Sequence, residues 1–154
     1  MKHDHDMKQH HYTHLIVTTL INAVIMYVVM YTMIAGLPDF YNNINQIYMV
    51  LMMAAPMVII MLIDMKSMFT DKKLNLILHA VAAALVILGF IGMRTQAAVG
   101  DSQFLRAMIP HHSGAILMCR EANITDLEIQ SLCQTIMKSQ QAEIDQMKAI
   151  LARQ

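Results

Sequence analysis

Residues 15–35 read LIVTTLINAVIMYVVMYTMIA, a run of 21 residues without a charged side chain. Two further runs lack Asp, Glu, Lys and Arg, namely the 17 residues 47–63 and the 20 residues 74–93. A helix of about 20 residues, rising about 1.5 Å per residue, crosses the roughly 30 Å hydrocarbon layer of a bilayer. The three runs therefore predict three transmembrane helices in a membrane domain of residues 15–93.

The composition agrees with a membrane protein. The chain has 154 residues, of which 56% are hydrophobic and 14% charged, and this is more apolar material than a soluble domain of that size needs for its core. The formal net charge is zero and no basic stripe is present, so the composition argues against a nucleic-acid partner. The partner that the composition predicts is the lipid bilayer.

The positions of the lysines predict an orientation. Residues 36–46, between the first two runs, contain no Lys or Arg, whereas the first tail and the second loop carry Lys2, Lys8, Lys66, Lys72 and Lys73. Because cytoplasmic loops are enriched in Lys and Arg, the N-terminus is expected in the cytoplasm. Residues 94–154 are then expected on the periplasmic or other extracytoplasmic side of a bacterial inner membrane. The first run has no small-residue cleavage site and is expected to be retained.

The first 14 residues, MKHDHDMKQHHYTH, hold five of the eight histidines. Such a tract is typical of metal binding, so His3, His5, His10 and His11 form a secondary metal set in a cytoplasmic tail. With a free terminal amine, His3 could complete a square-planar nitrogen set for Cu(II) or Ni(II). The alternative is a tail or an expression tag whose histidines bind nothing.

The second apolar run carries a row of methionines, Met49, Met53, Met57, Met61 and Met65. A spacing of four keeps the thioethers on one side of a helix, with a drift of about 40° per step. The row has two interpretations, a conduit for Cu(I) or polarizable packing between helices.

The segment after the third run predicts two helices. Asp101 or Ser102 can cap the first helix, and Thr125 with Glu128 three residues later is a capping box for the second. Only residues 123–125 remain to link them, so the two helices are expected to run antiparallel as a hairpin.

One face of the first of these helices is rich in metal donors. At 100° per residue, this inner face contains Phe104, Met108, His111, His112, Ala115 and Cys119, with Met118 at its edge. Pro110 either bends this helix or restarts it. The inner face of the second helix contains Ile129, Cys133, Ile136, Met137, Gln140, Ile144, Met147 and Leu151.

Pairing the two faces about a turn near Ile124 sets Met108 level with Gln140 and His112 level with Met137. The predicted metal site is therefore Met108, His112 and Met137, with His111, Met118 and Gln140 beside it. Met147 lies about 10 Å farther along and needs a second subunit or another helix to join the site. The alternative is a hairpin core in which Met, Ile and Cys simply pack.

The two cysteines, Cys119 and Cys133, both fall on the side predicted to be oxidising. In this register they are offset by about one turn. Two alternatives stay open, a disulfide bridge and a pair of thiolates beside the metal.

Two stretches resemble the DUF305 family, whose members include periplasmic copper-binding proteins of the CopM type. They are FLRAMIPHHSGAILMC at residues 104–119 and SQQAEIDQM at residues 139–147. The resemblance implies a ferritin-like helical fold and, for some members, copper binding by Met and His. The positions that match the motif are Met108, His111, His112, Met118 and Met147. Members often carry two copies of the unit, so a single copy implies a homodimer or higher homo-oligomer.

The combined prediction is an all-α protein with three transmembrane helices and an extracytoplasmic antiparallel helical hairpin, a ferritin-like half-bundle completed by oligomerisation. It is expected to be a non-enzymatic inner-membrane protein that binds copper as Cu(I), which thioethers favour, for storage, delivery or tolerance. A copper-handling protein is a further expected partner. The alternatives are a ferritin-like metal-dependent oxidoreductase, or a structural membrane protein that dimerises through the hairpin. The predicted donors are Met108, His111, His112, Met118, Cys119, Cys133, Met137 and Met147.

Overall fold

The computed structural model describes residues 2–154, and residues 2–9 by their backbone alone. This part of the chain forms five α-helices and two short 3₁₀ helices and contains no strand, which confirms the predicted all-α class. The α-helices are α1 (Lys2–Val29), α2 (Ile44–Asp64), α3 (Lys72–Thr95), α4 (Asp101–Glu121) and α5 (Leu127–Leu151). The 3₁₀ helices are Met30–Met33 and Leu37–Asp39.

Three helical segments of the described chain are long and apolar enough to cross a membrane. They are His10–Met33, Ile44–Asp64 and Lys72–Thr95. Large apolar side chains such as Leu20, Val24 and Phe90 are exposed on them, as expected where lipid is the solvent. The prediction of three apolar helices long enough to span a membrane is confirmed.

The chain divides into two compact units. Unit 1 takes the residues up to Val28 together with Ile47–Ala97, and unit 2 takes Val29–Gln46 together with Ala98–Gln154. The segment between α1 and α2 therefore belongs to the same unit as α4 and α5. The sequence patterns do not indicate this grouping, because that segment is neither apolar nor helical in its periodicity.

In unit 1, α1 begins at Lys2, well before the first apolar run. Tyr12 and Leu15 are buried against Phe69 and against Leu62 of α2. The Tyr12 hydroxyl also donates a hydrogen bond of 2.7 Å to the side-chain oxygen of Asn75. These contacts pack the part of α1 around Tyr12 and Leu15 against the rest of unit 1. The histidine-rich segment is therefore the beginning of α1 and not a separate tail.

The second close contact of unit 1 joins α2 to α3 through two glycines. A Cβ atom on Gly92 would lie 2.6 Å from Cε1 of Tyr48, and one on Gly89 would lie 3.0 Å from the Tyr48 carbonyl oxygen. The Tyr48 hydroxyl donates to the carbonyl of Ala97 at 2.5 Å. The absence of side chains at these glycines thus lets α3 approach α2 closely, as small residues do between membrane helices.

In unit 2, α4 is one continuous helix. Pro110 lies inside it, so the helix does not restart there. Gly100 is the N-cap residue of α4, and no side-chain hydrogen bond caps the helix there. Asp101 is already the first helical residue, so the prediction that Asp101 or Ser102 caps α4 is wrong. The carboxylate of Asp101 still lies in the first turn, where negative charge is favourable.

The second helix of unit 2 is capped one residue later than predicted. Asp126 accepts hydrogen bonds from the backbone N–H groups of Glu128 and Ile129, at 2.9 and 3.0 Å. Thr125 therefore precedes the cap. The carboxylate competes well because Asp ranks above Thr as an N-cap and its charge favours a helix N-terminus.

The core of unit 2 lies between α4 and α5. Leu105, Ile109, Ile144 and Met147 are buried together, and Met108 is half-buried against them. Ile109 is 0% exposed, whereas Phe104, which was predicted to face inward, is 51% exposed. The buried face of α4 is therefore rotated by about one residue, roughly 100°, from the predicted face.

Candidate metal site

His112 is the most constrained of the predicted donors. It is buried, its Nδ1 lies 3.0 Å from the carbonyl oxygen of Met108, and its Nε2 lies 2.7 Å from Oε2 of Glu143. A carbonyl only accepts, so Nδ1 carries a proton and donates to Met108. A contact of this length between Nε2 and a carboxyl oxygen is a hydrogen bond in which the two atoms share one proton.

Glu143 is the partner of His112 on α5. Its other oxygen, Oε1, accepts a 2.9 Å hydrogen bond from the Ser139 hydroxyl one turn earlier. The hydrogen bond from His112, followed by the one from Ser139, lowers the pKa of the Glu143 carboxyl from its ordinary value. Its side chain is about half exposed, so solvent reaches the carboxylate from one side.

The contact with Glu143 was missed by the donor prediction. The predicted register set His112 level with Met137, but the structure brings it to Glu143, six residues farther along α5. The sequence did carry a signal, since Ser139 and Glu143 stand one helical turn apart in the stretch SQQAEIDQM. A hydroxyl and a carboxylate at that spacing share one face of a helix.

The predicted thioether donors differ in burial. Met147 is 9% exposed and packs in the core of unit 2, so it needs no second subunit to be covered. Met108 packs against the same core and is half-buried, as is Met137. Met118 is 55% exposed and His111 is also exposed, with its ring 6.0 Å from that of His112. The structure therefore places the Met108 backbone carbonyl beside His112, packs the Met108 side chain on the core, and leaves His111 and Met118 at the surface.

Cys119 and Cys133 form a disulfide, with their Cα atoms 5.3 Å apart. The predicted offset of one turn is therefore wrong. Of the two alternatives, the structure contains the bridge, and a bridged sulfur is not a thiolate ligand. The two cysteines leave the set of available metal donors and act instead as a covalent link between α4 and α5.

Next to His112, α4 is fastened to the segment between α1 and α2. The Ser113 hydroxyl donates to Oδ2 of Asp39 at 2.5 Å, and it accepts a 2.8 Å hydrogen bond from the backbone N–H of Ala35. Oδ1 of Asp39 accepts from the Lys148 ammonium at 2.6 Å. Asp39 thus contacts both α4 and α5. The segment between α1 and α2 is held against these two helices next to His112.

Beside this geometry, the sequence matches a family model over residues 62–151, described as a domain of unknown function, DUF305. The chain belongs to the DUF305 family. The matched region begins in the last turn of α2 and includes α3, α4 and α5. The DUF305 region is thus longer than the C-terminal stretches that suggested the resemblance, and it contains His112, Glu143 and both cysteines.

One curated relative is an uncharacterized protein of Acanthamoeba polyphaga mimivirus. It is 36% identical over 143 residues, which cover 84% of this chain and 92% of the relative. No solved structure matches this DUF305 chain. The finer resemblance to copper-binding proteins of the CopM type stays a prediction.

Within the described residues of this DUF305 chain, no three side chains of His, Cys, Asp or Glu are grouped so as to hold a metal ion. The candidate donors nearest the His112 imidazole are the Glu143 carboxylate and, one turn earlier on α4, the side chain of Met108. Of the secondary set, His3 and His5 lie outside the residues whose side chains are described. His10 and His11 line a cavity in unit 1.

Proposed function

We propose that this protein binds copper as Cu(I) through Met and His donors in unit 2 and serves in copper storage, delivery or tolerance at a membrane. The donor set begins with His112 and Met108, with Met137 and Glu143 as further donors. Thioethers are neutral, soft ligands that suit Cu(I), and they bind it without losing a proton.

The observation that carries the proposal is the orientation of the His112 ring. Its Nδ1–H is held by a backbone carbonyl, which is how proteins commonly orient a histidine that binds metal through Nε2. The same Nε2 points at Glu143, on the solvent-accessible edge of the helix pair. A metal ion at Nε2 would replace the proton that now bridges His112 and Glu143.

A structural role is the second candidate function, and it rests on the same contacts. Both nitrogens of His112 have partners, and the two cysteines cross-link α4 to α5. On this hypothesis the His112–Glu143 pair only stabilises the helix pair, and the helix pair serves as a dimerisation element. The oxidoreductase alternative would need several inward carboxylates, and His112 has one such partner in the described structure, Glu143.

The finer predictions of architecture and location belong to the same proposal. The architecture is an antiparallel hairpin that forms half of a ferritin-like bundle, which a homo-oligomer completes. The location is a bacterial inner membrane, with the N-terminus in the cytoplasm and the hairpin on the periplasmic or other extracytoplasmic side. A copper-handling protein would exchange the metal with unit 2. The disulfide is consistent with an oxidising compartment for α4 and α5.

The test is a Cu(I) competition titration of the full-length protein in detergent micelles, without oxygen and with ascorbate, which keeps copper reduced and leaves the disulfide intact. A colorimetric Cu(I) chelator serves as the competitor. We expect His112→Ala to weaken Cu(I) binding by at least about tenfold, and Met108→Leu to weaken it comparably because Leu keeps the packing volume.

The matched control is Met118→Leu, which removes an exposed thioether from the same helix. It should bind Cu(I) as the wild type does. Unchanged binding in both His112→Ala and Met108→Leu would refute the proposal, and the structural candidate then predicts lower thermal stability in His112→Ala with no copper dependence.

A further inference from the structure

A cavity of about 350 Å³ in unit 1 is lined by two kinds of metal donor. From α1 it receives His10, His11 and His14, and from the end of α2 and the turn after it Met61, Met65 and Met68. We propose that this cavity is a separate binding site for a soft monovalent cation, Cu(I) or its analogue Ag(I). It is independent of the His112 site, because it shares no residue with it and lies in the other compact unit.

The histidines come together because α1 is helical where the sequence predicted a tail. His10 and His14 stand one turn apart, and their ring centroids are 5.3 Å apart. His11 follows His10 and also lines the cavity. A flexible tail would not place three imidazoles along one wall, so the helical continuation of α1 creates this arrangement.

The methionines come together because α2 ends beside them. Met65 continues the helical bonding pattern, with its N–H on the Met61 carbonyl at 3.0 Å, and the Met68 N–H then bonds to the Met65 carbonyl at 2.9 Å. The chain turns at this point, which brings Met68 back towards the last turn of α2. Three thioethers thus line one cavity. Met61 and Met65 are half-buried there, whereas Met68 is exposed, as are Met53 and Met57 of the same row.

The two walls are held together by aromatic contacts. The rings of Tyr12 and Phe69 lie with centroids 5.1 Å apart, and both side chains are buried. The Tyr12 hydroxyl is fixed by Asn75, whose amide in turn donates to the Phe69 carbonyl at 2.7 Å. The cavity is therefore framed by packed and hydrogen-bonded residues.

One polar atom at the cavity lacks a partner. Nδ1 of His11 is buried and makes no hydrogen bond to any described residue. A buried polar nitrogen without a partner is unfavourable, and coordination of a metal ion through this nitrogen would give it one.

The donor chemistry decides the class of metal. No carboxylate or thiol is among the described residues that line the cavity, and no three described His, Cys, Asp or Glu side chains are grouped for a metal. Magnesium, which takes oxygen ligands, is therefore poorly served, and zinc lacks a group of three His, Cys, Asp or Glu ligands among the described residues. Neutral imidazole and thioether donors suit a monovalent soft ion, which also adds less charge to a partly desolvated cavity.

The test measures Cu(I) bound per full-length chain in detergent micelles, without oxygen and with ascorbate, after gel filtration against a weak chelator. Cu(I) avoids the square-planar nitrogen set of a free N-terminus, which prefers Cu(II). The cavity variant is Met61→Leu with Met65→Leu, which keeps the packing volume. The matched control is Met53→Leu with Met57→Leu, two exposed methionines of the same row.

We expect two Cu(I) per chain in the wild type and in the control, and one in the cavity variant. His112→Ala should also retain one, and its combination with the cavity variant none. Loss of copper in the cavity variant with full binding in His112→Ala supports the cavity and refutes the proposed function in unit 2. Full binding in the cavity variant overturns the cavity site.

A second variant, His10→Asn with His14→Asn, alters exposed side chains and so should not affect folding, and it should retain one Cu(I) per chain as the methionine variant does. X-ray absorption of Cu(I) bound to His112→Ala should show both nitrogen and sulfur ligands. A shell of nitrogen alone would overturn the proposal, because the copper would then be held by histidines without the methionine wall.

Discussion

The Lys148 ammonium lies 2.6 Å from Oδ1 of Asp39, a residue 109 positions earlier in the chain. The two side chains are 29% and 13% exposed, so the ion pair is largely shielded from solvent. This ion pair links the segment between α1 and α2 to α5. The Ser113 hydroxyl of α4 donates a hydrogen bond to the same carboxylate and links that segment to α4 as well. Unit 2 therefore depends on a residue far outside its two long helices.

Removal of this ion pair should destabilise unit 2 measurably. We expect a double-mutant cycle of Asp39→Asn and Lys148→Met to give a coupling energy of about 1.5–3 kcal/mol, since hydrogen bonds to charged groups contribute about that much. The measurement is thermal unfolding in one detergent, followed by circular dichroism. The exposed pair Arg120 and Glu121 is the control, and its cycle should give below about 0.5 kcal/mol. Equal coupling in the two cycles would contradict the assignment.

The lowered pKa of Glu143 predicts that part of the free energy of unfolding is lost at acidic pH. Its pKa is lowered in the folded state, so its contribution is complete above the ordinary pKa of a glutamate and is lost as the pH falls through the lower folded value. The melting temperature of the wild type should therefore decrease as the pH falls through this acidic window. Glu143→Gln should reduce the decrease. The prediction fails if the two proteins show parallel pH profiles.

The disulfide predicts a large response to reduction. Cys119 and Cys133 are 14 residues apart, and closing a loop of that length stabilises a fold by about 2–3 kcal/mol. The variant with both cysteines changed to Ser should melt at a correspondingly lower temperature, and the wild type should match it after reduction.

Thiol labelling of the same two cysteines also reports the orientation. The wild type should take up no maleimide before reduction. In intact cells, a membrane-impermeant reductant followed by an impermeant maleimide should label it if α4 and α5 are extracytoplasmic. Labelling only after the membrane is opened would reverse the predicted orientation.

Gly92 predicts a steric limit between α2 and α3. A Cβ atom there would overlap the Tyr48 ring, so Gly92→Ala must displace an aromatic side chain that is also hydrogen-bonded to Ala97. We expect a loss of about 1–3 kcal/mol in thermal unfolding, as is usual for overpacking. Ala83→Ser, at an exposed position of α3, should leave the melting temperature nearly unchanged.

The membrane helices could be predicted because their signal is a single property, an uninterrupted apolar run. The start of α1 could not, because it depends on Tyr12 and Leu15 meeting Phe69, residues more than 50 positions away. The hydropathy of the sequence also cannot show that the Tyr48 ring packs against the backbone of Gly92. Contacts distant in sequence thus account for the misplaced boundary.

For the candidate site, the sequence suggested donor residues but not the contacts that they make. Ser113 is 0% exposed because its hydroxyl is satisfied by Asp39 and by the Ala35 N–H, and no apolar pattern marks such a position. That burial rotates α4 and turns Phe104 outward. The register also differs from the prediction, since α5 is capped by Asp126 rather than Thr125 and His112 lies beside Glu143 rather than Met137.

The protonated contact between His112 and Glu143 has a consequence for how easily a metal could enter. The His112–Glu143 pair with its one shared proton has no net charge, and neither does a neutral imidazole that binds a monovalent copper ion beside the same carboxylate. The exchange of H⁺ for Cu⁺ would therefore leave the charge of this buried position unchanged, and the usual penalty for bringing a cation next to apolar residues would not arise. A divalent ion would add a full positive charge there, so the site would discriminate between metals by valence as well as by softness.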